Sequence, residues 1–71
     1  MIVTFEAFFT KPGEDKPAWH AIDSGHMKPK KARRKLARMR LHHPGRPLRL
    51  WKDGKEGMTL MKEYYANDTA D

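Results

Sequence analysis

Cysteine is absent from all 71 residues, which excludes a disulfide framework and thiolate-held metal and removes any need for an oxidising compartment. Serine occurs once, so a serine nucleophile has one candidate position. There, Asp23-Ser24-Gly25-His26 crowds its groups along the chain, unlike a triad assembled from separated elements. Apolar runs last only a few residues, far short of the ~20 that a membrane helix requires. The N-terminus has no basic segment followed by a secretory hydrophobic stretch. These absences predict a soluble, complete, cytoplasmic protein of one small domain, in which about 60 % of the unfolded surface is buried.

The most consequential absence is of acid. Residues 24 to 52 hold eleven lysines and arginines and no carboxylate, while all nine acids lie outside that stretch. Within it, eight of the thirteen residues from Lys28 to Arg40 are basic. A solvated helix ordinarily mixes signs, because like charges four residues apart repel by a few tenths of a kcal/mol. KPKKARRKLARMR also sets Lys28, Lys30 and Lys31 around Pro29, where the positive end of a helix dipole prefers acids. A bound polyanion would relieve both costs, and concentrating the +6 net charge in one region orients the molecule toward such a partner. A solvated basic face without a ligand is the plainer alternative.

Ile2 to Thr10 alternates with period two, with Val3, Phe5, Ala7 and Phe9 on one face and Thr4, Glu6 and Phe8 on the other, and is expected to be a strand. The Lys11–Pro17 turn leads into a short strand, Ala18 to Asp23, with Trp19 and Ile22 on opposite faces, closed by Asp23-Ser24-Gly25. Ser24-Gly25-His26-Met27 has the look of a cloning scar, but strand-like sequence precedes it and it is read as native.

A helix is expected from about Pro29 to His43, ended by Pro44-Gly45, with Ala32, Leu36, Met39 and His43 as its apolar stripe. Lys30, Lys31, Arg34 and Arg38 point away from that stripe, Lys35 flanks it on one side, and Arg33 and Arg40 flank it on the other. Arg46 to Lys52 is the next strand, with Leu48 and Leu50 alternating against Arg49 and Trp51, and Asp53-Gly54 is the tight-turn signal. Met58 to Tyr65 fits a strand with Met58, Leu60 and Tyr64 on one face, although helical spacing is also present.

The expected fold is α+β: a single domain over residues 1–66 with an antiparallel-dominated sheet and one basic helix packed on one face, ordered β-β-α-β-β. Residues 67–71 are expected to be a frayed tail. Phe5, Phe9, Ile22, Leu36, Met39, Leu48 and Leu50 form the expected core.

Lysine and arginine neutralise phosphates and release counterions whatever the base sequence, so Lys28, Lys30, Lys31, Arg33, Arg34, Lys35, Arg38 and Arg40 are the candidate nucleic-acid contacts. DNA and RNA are not distinguished. A helix followed by a sheet is no helix-turn-helix, and the Gly-aromatic signature of RNA-recognition sheets is absent. Lys30 to Lys35 also resembles a nuclear-localisation string, a pattern that basic helices produce by chance. Phe8 and Trp51 are candidate aromatic contacts, with Trp19 and Tyr65 behind them, although core packing accounts for most of the seven aromatics.

His20, His26, His42 and His43 lack metal-ligand spacing, so neither metal nor cofactor is expected. Gly54-Lys55-Glu56-Gly57 lacks the hydroxyl residue and spacing of a phosphate-binding loop and reads as a turn. Among enzymes, a small ribonuclease using one histidine and nearby lysines is the least implausible, but catalysis is not expected. The compact composition, aromatic strands and strongly polar helix are similar in general look to short phage or mobile-element reading frames that modify host enzymes. That resemblance implies the rival reading: an inhibitor or adaptor whose basic helix and exposed aromatics dock on an acidic surface of a larger protein.

Overall fold

The computed structural model describes residues 1–65 and contains four strands and one helix: β1 (Ile2–Phe9), β2 (Ala18–His26), α1 (Pro29–His42), β3 (Leu48–Gly54) and β4 (Gly57–Tyr64). The strands form one antiparallel sheet in the order β2-β1-β3-β4, with α1 across one face. This is the expected β-β-α-β-β arrangement. The expected tail at 67–71 lies outside the described residues.

Period-two alternation on the two central strands decides which face the helix covers. Val3, Phe5 and Ala7 on β1 and Leu48 and Leu50 on β3 are fully buried, and Ala32 and Leu36 of α1 close over them. Phe9, Ile22 and Met39 pack around this nucleus only half-buried, so the expected core is right at its centre and too generous at its rim. Pro29 opens α1 at its first turn, where a missing N–H costs nothing. His43, restricted by the following Pro44, leaves helical geometry while its N–H donates to the Met39 carbonyl at 2.9 Å, and Gly45 turns the chain away at φ +75°. The first turn has neither an acidic residue nor a side-chain cap, so packing of Ala32 and Leu36 holds α1 rather than its own termini.

Three local expectations change. β2 does not close at Asp23-Ser24-Gly25 but runs on to His26, because Thr4 and Val3 pair with Ser24 and Gly25. β3 likewise runs through Asp53-Gly54; the turn is Lys55-Glu56, followed by Gly57 at φ +110°, a left-handed position that closes such a hairpin. The third change is one of parity. Both edge strands carry a bulge: Ile22 is the extra residue of β2 opposite the Phe5/Glu6 step, and Met61 that of β4 opposite Leu50/Trp51. Met61 and Tyr64 consequently pack on the core, while Met58 and Leu60, expected on the same face as Tyr64, lie across the sheet beside Asp53 and Trp51.

Candidate nucleic-acid interface

The 3.6-residue repeat of α1 divides its seven lysines and arginines, together with Lys28 at the N-cap, into groups with different surroundings. Lys28, Lys30, Lys31, Arg33, Arg34 and Arg38 are exposed. Lys35 and Arg40 are half-buried and turned toward the sheet. Lys35 Nζ lies 2.5 Å from Asp23 Oδ2 and 5.5 Å from the centre of the Phe5 ring. The Arg40 guanidinium sits 4.1 Å over the Tyr64 ring, and Arg46, beyond the helix, sits 4.6 Å over Phe9. These three cations cover the rim of the core, their apolar stems and charged heads shared between ring and water.

Asp23 is placed to meet Lys35 because it directly follows the bulge residue Ile22 and faces the helix. The Lys35 ammonium, assisted by the Ser24 N–H donating to Asp23 Oδ1 at 2.8 Å, holds this carboxyl below its ordinary pKa. Asp23 thereby gives the basic helix a carboxylate partner from the sheet.

An open groove of about 830 Å³ runs along one flank of α1, lined by Lys28, Lys30, Lys31, Arg34, Lys35, Arg38, Met39, His42 and His43. Six of the eight sequence-predicted cations therefore line one concave surface. Arg33 and Arg40 are not among them. Helical geometry explains the split: steps of ~100° put residues 31, 35, 38 and 42 on one flank, and residues 33 and 40 on the other. His42 and His43 are the additions that charge counting missed. Their signal was spacing, since His42 follows Arg38 by four residues and His43 follows Met39 by four.

No carboxylate contributes to the groove lining. Such a surface attracts a polyanion along its length, and five of its cations, Lys28, Lys30, Lys31, Arg34 and Arg38, are exposed enough to meet phosphates.

The predicted aromatic contacts lie elsewhere. Phe8 and Trp51 are on the sheet face that α1 leaves uncovered, both half-buried. Phe8 meets Trp19 edge-on at 5.3 Å between ring centres. The Trp51 indole N–H donates to Glu6 Oε1, which also accepts a 2.6 Å hydrogen bond from Arg49 Nε. The Arg49 guanidinium in turn lies 3.8 Å over Trp19 and 5.0 Å from the centre of Trp51. This Glu6–Arg49–Trp51–Trp19 cluster joins three strands. The basic groove and these aromatics consequently do not form one surface.

The histidines are dispersed. His20 meets Phe9 with the rings tilted at 59° and their centres 4.8 Å apart, and its Nε2, like Nδ1 of His43, is buried without a partner. Among the described residues, no three histidine or carboxylate groups gather as metal ligands, and no helix is long and apolar enough to cross a membrane. Comparison with protein-family models, curated proteins and solved structures gives no match.

Proposed function

We propose that this chain is a small, non-enzymatic, cytoplasmic accessory protein that binds DNA or RNA through the groove along α1. The observation that carries the reading is the lining itself: six lysines and arginines and two histidines on one concave surface, without a carboxylate. The sheet would serve as a rigid backing, and phosphate contacts would set the affinity irrespective of base sequence. The lack of cysteine suits a reducing compartment.

Fluorescence anisotropy with labelled duplex DNA, single-stranded DNA and RNA across a salt series tests this. Binding that weakens steeply with salt supports it; absence of binding to all three at low salt overturns it.

Leu41 favours a second reading. It is 71 % exposed and lies on the helix three residues from Arg38 and seven from Arg34, so an apolar anchor stands beside the cations. A protein with an acidic groove would use that anchor, as helix-in-groove partners do. Leu41→Ala separates the two readings: a protein partner captured from nuclease-treated lysate would be released, while affinity for nucleic acid would hold.

A further inference from the structure

The uncovered face of the sheet carries large apolar side chains among its polar ones. Antiparallel sheets with one wet side usually alternate polar residues outward. Here the outward positions include Ile2, Met58 and Leu60, which are 51 %, 52 % and 42 % exposed, and the half-buried rings of Trp51, Trp19 and Phe8. The register sets them in two groups on either side of the Glu6–Arg49 row. Trp51 is flanked by Thr4 and Leu60, Asp53 in the next row by Ile2 and Met58, and Trp19 sits opposite Phe8 at the other end.

We propose that this face binds a second copy of the same chain, forming a sandwich of two sheets with the basic helices on its outer sides. Area and charge both point to that occupant. At about 200 Å² per large side chain, the three half-exposed apolar residues leave about 300 Å² open, and the half-buried rings with Thr4, Ala21 and Ser24 bring the face to ~600 Å². Two such faces would bury about 1,200 Å², within the range of specific interfaces. One face of ~600 Å² is at the upper end of what a monomer usually leaves as its largest patch.

The charges are self-complementary. Glu6 on β1 and Arg49 on β3 are direct neighbours at the middle of the sheet. A two-fold axis running along the strands between β1 and β3 lays each β1 on the other copy's β3. Glu6 of each copy then faces Arg49 of the other, and sheets about 10 Å apart pack in the aligned manner. Glu6 and Arg49 enter the interface already paired, which avoids the cost of burying either alone, while Asp53 lies at one end of the face and Glu63 on its edge strand. Nucleic acid suits the face poorly, since Glu6, Glu63 and Asp53 set carboxylates across it and its one arginine is neutralised by Glu6. This inference does not depend on the nucleic-acid reading of the opposite surface.

Sedimentation equilibrium of the nuclease-treated full chain is the test. The mass should rise from 8.3 kDa at dilution toward twice that value by about 200 µM, and should do so equally at high salt. Leu60→Lys, at an exposed position, should keep the far-ultraviolet circular dichroism of the wild type and weaken association at least about tenfold. Leu41→Lys, on the helix, should leave association unchanged. A wild type that stays at 8.3 kDa throughout overturns the proposal. So does association that Leu60→Lys leaves intact, or a monomer whose nucleic-acid affinity is lost in Leu60→Lys, which would assign the face to nucleic acid.

Discussion

Neutralising single cations of α1 should divide them by flank rather than by charge, because Arg33 and Arg38 are both exposed arginines but only Arg38 lines the groove. Five exposed groove cations contacting five phosphates give a slope of log K against log salt near −4.5, or roughly 500-fold weaker binding between about 50 and 200 mM salt. Replacing Lys31, Arg34 and Arg38 together by glutamine should bring the slope to about −1.8 and the same salt change to roughly 12-fold. Arg33→Gln should leave the slope near −4.5, while Arg38→Gln alone should flatten it by about 0.9. Anisotropy titrations at four or more salt concentrations read these differences directly. All these side chains are exposed, so thermal unfolding should show the variants folded. If Arg33→Gln flattens the slope as much as Arg38→Gln, the groove has no special role and the affinity belongs to the general field of the helix.

Leu36 is fully buried between α1 and the sheet, and Leu36→Ala should cost about 2–5 kcal/mol in urea unfolding; a negligible change would refute the assigned packing face. Glu6→Ala strands the half-buried Arg49 guanidinium and the Trp51 indole N–H together, so a loss of roughly 1–3 kcal/mol is expected, accompanied by altered tryptophan emission. Asp23 has a depressed pKa in the folded protein, so its pairing with Lys35 stabilises the fold above the unfolded carboxylate pKa of ~3.9 and is lost as pH falls through the folded value. The stability gap between wild type and Asp23→Asn should therefore be present at neutral pH and close in acid. It should be small, because both side chains are more than a third exposed.

The central strands were legible because nothing interrupts their alternation. Val3, Phe5 and Ala7 on β1, and Leu48 and Leu50 on β3, face the core as period two requires. The edge strands were legible as strands, and Trp19 and Ile22 do lie on opposite faces, but their full register was not, since each hides one extra residue, and Ile22 and Met61 are ordinary apolar side chains with no glycine or proline to mark a bulge. Helical periodicity correctly turned Lys30, Lys31, Arg34 and Arg38 outward. It gave no sign that Asp23 would draw Lys35 inward or that Tyr64 would lie beneath Arg40, because both partners come from strands whose order is set by long-range pairing. The Glu6–Arg49–Trp51–Trp19 cluster was invisible for the same reason: its members are as many as 45 positions apart in Glu6 and Trp51.

The two bulges also determine where the chain can change length. Deleting Met61 would leave Lys62 opposite Leu50 and Leu60 opposite Trp51, now in an unbroken ladder, with every remaining side chain on its present face. Deleting Ile22 would do the same between Asp23 and Ala21. Removal of a residue several positions from the bulge would instead send the side chains between it and the bulge through the sheet, exchanging core for solvent. Sequences derived from this one should therefore tolerate single-residue shortening of β2 and β4 at Ile22 and Met61, at the expense of rim packing and of the twist that keeps bare edges from pairing with other strands.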